Sequence, residues 1–345
     1  MSGKWPGGII SKTAPTVTGP TDGEGGSASG IWTLDQAADY EKQGLWPKLT
    51  LPREILGWGS NYKGQLGQGT SGPAVPTINS PVQVGAYTNW SVMTKTSDSV
   101  TAINALGEMW AWGKNYYGQL GTNNTTYYSS PVQVGALTTW SGSKSISAGL
   151  QYIGIIKSDG TLWTWGNNSF GQIGNGTVGP NYSSPIQVGF LTDWSTIGNA
   201  VGATYVIKTD GTLWVCGEGS LGGLGLGNTT SYSSPVQLGA LTDWAQVKGG
   251  NRGCMAVKTD GTLWGWGRNA NGEVGSGNTT VYSSPVQIGA LTDWLKVVNS
   301  YKSTLALKTD GTLWAWGKND TGQLGVGDTT DRSSPIQIGA LTTWT

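Results

Sequence analysis

The sequence predicts an all-β protein, a β-propeller of about six blades, on three observations. A unit of roughly fifty residues recurs six times. Its marker glycines, which end an aromatic run, fall at Gly59, Gly113, Gly166, Gly217, Gly267 and Gly317, spaced 54, 53, 51, 50 and 50 residues apart. A second marker, Pro-Val/Ile-Gln, begins at Pro81, Pro131, Pro185, Pro235, Pro285 and Pro335. The 345 residues include 57 glycines and 19 tryptophans. Burial must therefore come from a few large aromatic rings set among many turns, as in stacked β repeats.

The unit from Trp244 to Trp294 justifies each strand in order. Trp244 and Val247 open a first strand, and Met255-Ala256-Val257-Lys258 makes a second. Thr259-Asp260-Gly261-Thr262 then separates it from Leu263-Trp264-Gly265-Trp266-Gly267. Asp-Gly between apolar runs predicts a tight hairpin with both central residues at positive φ. The step recurs at Asp159-Gly160, Asp210-Gly211 and Asp310-Gly311, whereas the first copy has Leu106-Gly107-Glu108. Trp264 and Trp266, two residues apart, share one face of their strand. Gly272-Glu273-Val274-Gly275 follows, elsewhere Gly-Gln-Leu-Gly; without a Gly-Lys-Ser/Thr or a following helix pattern these are turn glycines, not a phosphate loop. Ser283-Ser284-Pro285-Val286-Gln287 predicts a last short strand with its proline at the start. Each unit thus supplies three or four strands and no helix.

The pattern Leu-Trp-x-Trp-Gly-x-Asn-x-x-Gly-Gln-Leu-Gly, with Pro-Val-Gln downstream, resembles the regulator of chromosome condensation repeat across about residues 54–345. That resemblance implies a propeller, which in this family usually has seven blades. Here five units are complete, from Trp90 to Gly325. If the partial copies at the two ends share a blade, the ring has six, and that blade lacks the strand equivalent to Met255-Ala256-Val257. The unpaired edge invites a partner. The family's eukaryotic namesake exchanges nucleotide on a small GTPase and binds chromatin, a role that a fold alone does not carry over.

Before the propeller, residues 1–50 form an expected attachment arm. Its first thirty residues are rich in Gly, Pro, Ser and Thr. Thr33 with Gln36 makes a capping box, and Gly44 and Pro47 mark a stop, so a short helix is predicted at about 34–43. Gly7-Gly8-Ile9-Ile10, Gly30-Ile31-Trp32-Thr33-Leu34-Asp35-Gln36 and Gly44-Leu45-Trp46-Pro47 are similar to an N-terminal module of virion structural proteins of tailed phages of marine bacteria, including those infecting cyanobacteria. The resemblance implies a docking peg, with Ile9, Ile10, Trp32, Leu34 and Trp46 as candidate docking residues and the C-terminal domain as exchangeable cargo.

Charge and chemistry narrow the classes. Twenty basic and twenty acidic residues balance, and there is no histidine. A nucleic-acid binder normally carries a basic face, so none is expected. His-dependent nucleophile systems and His-ligated metals are excluded. Asp210, Asp260 and Asp310 read as hairpin turns, and Asp193, Asp243 and Asp293 as turn caps. Asp328 and Asp331 read as a solvated turn before a cation site, and Asn124, Asn228 and Asn278 as turns. Cys216 and Cys254 read as two buried thiols rather than a disulfide or metal pair. No enzyme activity, no cofactor, no metal, no signal peptide and no membrane insertion are expected.

The positions that vary while the frame repeats are the informative ones. Tyr116, Tyr117, Tyr127 and Phe170 are candidate surface-recognition residues, because exposed aromatic rings beside Asn and Ser suit a sugar- or protein-binding rim. The recurring Tyr128, Tyr182, Tyr232 and Tyr282 read as packing between blades. The expected function is a non-enzymatic virion protein that docks by residues 1–48 and displays a propeller for host contact or for capsid or tail decoration. A free carbohydrate-binding propeller and a regulator of a small GTPase are the alternatives. Expected partners are other virion proteins, a host-surface glycan or protein, and further copies of the chain, on the surface of the phage particle.

Overall fold

The computed structural model describes residues 53–72, 77–136 and 139–344. The helix expected at 34–43 and the docking residues Ile9, Ile10, Trp32, Leu34 and Trp46 lie outside the described residues.

Five four-stranded antiparallel sheets form the blades. Blade one is β3 (Trp90–Lys95), β4 (Ser99–Asn104), β5 (Met109–Gly113) and β6 (Tyr128–Gln133). Blade two is β7 (Ser145–Ala148), β8 (Tyr152–Ile156), β9 (Leu162–Gly166) and β10 (Tyr182–Gln187). Blade three is β11 (Trp194–Asn199), β12 (Ala203–Lys208), β13 (Leu213–Gly217) and β14 (Tyr232–Gln237). Blade four is β15 (Trp244–Gly249), β16 (Gly253–Lys258), β17 (Leu263–Gly267) and β18 (Tyr282–Gln287). Blade five is β19 (Trp294–Asn299), β20 (Ser303–Lys308), β21 (Leu313–Gly317) and β22 (Arg332–Gln337). Ahead of them, β1 (Leu56–Gly59) and β2 (Ile78–Gln83) make a two-stranded sheet. Among the described residues the single helical turn is the 3-10 turn Ser220–Gly222. The first strands of successive blades are neighbours in the order β3, β7, β11, β15, β19, so each blade runs outward from the centre.

The core lies between blades, which explains how so glycine-rich a chain holds together. In four of the five blades the second tryptophan of the third strand is buried and reaches into the preceding loop. Trp112 Nε1 donates to the Gln65 carbonyl at 3.1 Å, Trp165 to Gln119 at 3.0 Å, Trp266 to Gly223 at 3.1 Å and Trp316 to Glu273 at 2.9 Å. In blade three Cys216 takes that place, its Sγ 3.9 Å from the Gln172 carbonyl. Each buried indole removes about 150–250 Å² from water, worth about 4–6 kcal/mol as an upper bound.

Glycine sets the approach of neighbouring blades. A β-carbon at Gly118 would lie 2.5 Å from Ser183 Cα, and the same close seat recurs at Gly64 on Ser129, Gly171 on Ser233, Gly222 on Ser283 and Gly272 on Ser333.

Three local expectations are corrected. In the Asp-Gly hairpins only the glycine takes positive φ, +78° at Gly211. The Gly211 N–H donates to Lys208 O at 3.0 Å, and Lys208 N–H donates to Thr212 O. This is a three-residue loop whose glycine forms the bulge, not a two-residue turn. The proline of the last strand is not at its start: Pro285 is the fourth residue of β18. It is tolerated there because the strand is the outer edge and its register shifts between the pairs of Gly265 and Gly267. Asp193, Asp243 and Asp293 do not cap turns with their side chains; they pair with Lys208, Lys258 and Lys308 at 3.2, 3.2 and 3.4 Å. Each lysine also lies between two indoles, as Lys258 does 5.1 Å from Trp244 and 4.4 Å from Trp264.

Candidate recognition face

The turns joining first to second strands and the long loops joining third to fourth strands share one end of the blades. Lys114 N–H, at the start of such a loop, donates to Asp98 O in such a turn at 2.9 Å, and Asn167 N–H donates to Gln151 O at 3.0 Å. A buried asparagine holds each loop in shape. Asn115 Oδ1 accepts the Leu120 N–H at 2.9 Å, and its Nδ2 donates to the Asn124 carbonyl at 2.9 Å. Asn61, Asn168, Asn269 and Asn319 repeat the arrangement. With the frame fixed in this way, the loop tips are free to vary.

The sequence-predicted rings stand on these tips. Tyr116, Tyr127 and Phe170 are exposed. Tyr117 is half-buried and meets Tyr116 edge-on, 4.8 Å between ring centroids. Phe170 packs back toward the turn of blade three, where a β-carbon at Gly202 would lie 3.0 Å from its ring. The four residues are not one cluster: Tyr127 instead groups with residues of the preceding loop. Lys63 Nζ sits 4.5 Å from the Tyr62 ring and 5.7 Å from the Tyr127 ring. Tyr128, Tyr182, Tyr232 and Tyr282 are partly buried against the inter-blade clusters, as expected of packing residues.

Other residues at this end were missed in the sequence. Arg252 Nε pairs with the buried Glu218 at 2.9 Å, and Ser220 Oγ donates to the same carboxylate oxygen at 2.6 Å. Arg252 holds φ at +55° in its turn. The signal was a departure from the repeat: Glu-Gly replaces the usual Lys-Asn or Asn-Asn at Glu218-Gly219. At the centre of the same end, a cavity of about 170 Å³ is lined by Ser97, Leu150, Val201, Gly250, Ser300 and Tyr301.

The titratable groups are committed to structure. Hydrogen bonds from Thr262 hold the Asp260 carboxyl below the usual carboxylate range, and Thr312 does the same for Asp310. Burial pushes the Cys216 thiol up to about 12 and raises that of Cys254. Both cysteines are free. Asp328 pairs with Arg332, and Asp331 accepts the Asn319 N–H at 2.7 Å. Asn124, Asn228 and Asn278 each accept a turn N–H two residues on, at 2.9 Å. Among the described residues no group of three or more acidic, Cys or His side chains is placed to hold a metal.

A family model described as the RCC1-like domain matches residues 49–345. The chain belongs to the RCC1-like domain family. The family match supports a β-propeller built of RCC1-type repeats. Similar proteins include the ultraviolet-B receptor UVR8 of Arabidopsis thaliana, 30% identical over 52% of this chain and 40% of the receptor. The X-linked retinitis pigmentosa GTPase regulator homolog of Caenorhabditis elegans is 29% identical over 38% of this chain and 9% of that protein. The probable E3 ubiquitin-protein ligase HERC6 of Homo sapiens is 31% identical over 56% of this chain and 19% of the ligase. The chain thus spans less than half the length of these relatives. Among solved structures, yeast RCC1 (Prp20) bound to Kap60 superposes with a TM-score of 0.71 at 17% identity, covering 95% of this chain and 80% of that one. Human WBSCR16 gives 0.69 at 22% identity, covering 82% and 78%. At these identities the RCC1-like likeness is one of fold.

Proposed function

We propose that this RCC1-like chain is a non-enzymatic structural protein of a tailed-phage virion, which docks through residues 1–48 and recognises a host-surface glycan or protein through its loop end. The observation that carries the recognition half is the placement of Tyr62, Tyr116, Tyr127 and Phe170 on exposed tips where the repeat varies. Flat rings beside hydroxyl and amide groups offer large contact area at small entropic cost, and suit the apolar faces of sugars or a partner's side chains. The buried asparagines make that surface preorganised. The docking half rests on the likeness of residues 1–48 to phage virion modules. Purified particles should contain the full-length protein and lose it when residues 1–48 are deleted. Particles that still incorporate the truncated chain would remove the docking reading.

A second reading, regulation of a small GTPase, is favoured by one relative's description as a GTPase regulator homolog. It predicts faster nucleotide release from a small GTPase on addition of the chain, and it fails if the rate is unchanged.

A further inference from the structure

Repetition makes each seam of the propeller a control for the others, and one seam differs. Trp58 stands at the repeat position of Trp112, Trp165, Trp266 and Trp316, all buried, yet it is 59% exposed. Gly322 stands at the position of Gly272, but a β-carbon there meets no atom within 4 Å. Blade five therefore does not seat β1–β2 as each earlier blade seats the next. Among the described residues β1 pairs with β2 alone, and no described strand lies along its inner edge.

The side chains around this edge are those that an inner strand pair covers elsewhere. Met93 is 48% exposed, although Ile197, Val247 and Val297 at its position are buried. Leu305 is 38% exposed, although Tyr205 and Met255 at its position are buried. Trp344 donates its N–H to Gly311 O at 3.2 Å, as Trp294 does to Gly261 at 3.1 Å, yet it is 42% exposed. It occupies the place where a first strand begins. A cavity of about 420 Å³ opens beside β1, lined by Trp58, Leu66, Val84, Met93, Val100 and Trp112 among others.

We propose that this seam is a docking site for a β-hairpin presented by another polypeptide, which adds two strands to the inner edge of β1. The complete blades specify its chemistry. In blade five, β20 runs antiparallel to β21 with Ser303 opposite Gly317 and Leu307 opposite Leu313. An incoming strand in that register lies along Gly59 to Ile55. Its partner strand packs an aliphatic residue on Leu305 as Val297 packs with Met255, and its own residue at the Met255 position packs on Met93. The centre of the incoming strand must be uncharged, since Ala102, Ile155, Val206, Ala256 and Ala306 are buried there. The segment just before β1 does not meet that need. The 258-residue offset between Gly59 and Gly317 brings Pro47 and Lys48 to the places of Leu305 and Ala306, a proline without an N–H and a charge in the core. Strand addition to an open sheet edge, with side-chain pockets for selectivity, is a general mode of peptide capture.

The probe is a labelled synthetic peptide of residues 295–308, the inner strand pair of blade five without its leading Trp294, titrated by fluorescence anisotropy against the full chain. Saturable binding is expected. Met93→Glu and Leu305→Glu, both at positions exposed in the free chain, should leave the fold and melting temperature intact and weaken binding at least about tenfold, because each buries a carboxylate in the complex. Phe190→Glu, at an exposed tip among the loops of the opposite end, should leave binding unchanged. Absence of saturable binding, equal binding of a scrambled peptide, or indifference to both seam variants would overturn the proposal. Concentration-dependent self-association without peptide binding would also overturn it, and would assign the seam to a second copy.

Discussion

Gly118→Ala and Gly322→Ala make a matched pair of perturbations. Both glycines have φ of +77°, so an alanine at either suffers the same left-handed backbone cost of about 1–2 kcal/mol. They differ in what the new methyl meets. At Gly118 it falls 2.5 Å from Ser183 Cα and 2.8 Å from Ser183 Cβ, so blades one and two must move apart; at Gly322 it meets nothing within 4 Å. Overpacking of this kind costs about 1–3 kcal/mol more. Gly118→Ala should therefore lose about 2–5 kcal/mol and Gly322→Ala about 1–2 kcal/mol. Urea denaturation followed by tryptophan fluorescence reads the difference as a shift in midpoint at unchanged slope. Equal losses at the two positions would mean that the loop of blade five is seated against its neighbour like the others, contrary to the open contact at Gly322.

Other perturbations read other contacts. Trp266→Ala removes a fully buried indole that donates to Gly223 and meets Tyr205 edge-on with 6.0 Å between ring centroids, and should cost about 3–5 kcal/mol in a denaturant titration, whereas Trp58→Ala should cost under about 1 kcal/mol. Lys258→Met keeps the stem packed between Trp244 and Trp264 but loses the charge and its 3.2 Å pair with Asp243, which should lower stability by about 1–2 kcal/mol in the same assay. Asp159, Asp210, Asp260 and Asp310 all have carboxyls held below their usual range, chiefly by hydrogen bonds from the threonine two residues on. A depressed folded-state value contributes stability that is full above the unfolded value and is lost as pH falls through the folded one. Melting temperature should thus fall on acidification below about pH 4, and Thr262→Val should raise the Asp260 titration midpoint measured by carboxyl NMR. Cys216 and Cys254 are buried with raised thiol values, so neither should react with a thiol reagent at pH 8 in the native chain, and both should react after unfolding.

Much of the fold was legible because repetition averages over local ambiguity. Six copies of the Pro-Val/Ile-Gln run, with four each of the Asp-Gly step and the paired tryptophans, mark strand order even where single copies deviate, as at Leu106-Gly107 and Cys216. Details that depend on strands meeting were not legible. Pro285 looks like a strand start until the bulge that accommodates it is seen. Asp243 looks like a cap until Lys258 arrives from a neighbouring strand. The recurrence of a lysine at Lys157, Lys208, Lys258 and Lys308, always two residues before the Asp-Gly aspartate, was the available signal for that contact. The candidate face was partly legible: variable aromatic tips stood out against the constant frame. That Tyr127 joins Lys63 and Tyr62 from the preceding loop, while Phe170 leans on Gly202, follows only from how successive blades are placed.

The central functional claim is that recognition resides at the loop end. Its most direct test is a glycan array probed with three labelled chains: the wild type, a Tyr116→Ala/Tyr117→Ala/Phe170→Ala variant, and Phe190→Ser at the opposite end. Saturable binding is expected of the wild type, with its loss in the triple variant at unchanged melting temperature and its retention in Phe190→Ser. Binding that survives the triple variant and disappears with Phe190→Ser would contradict the claim.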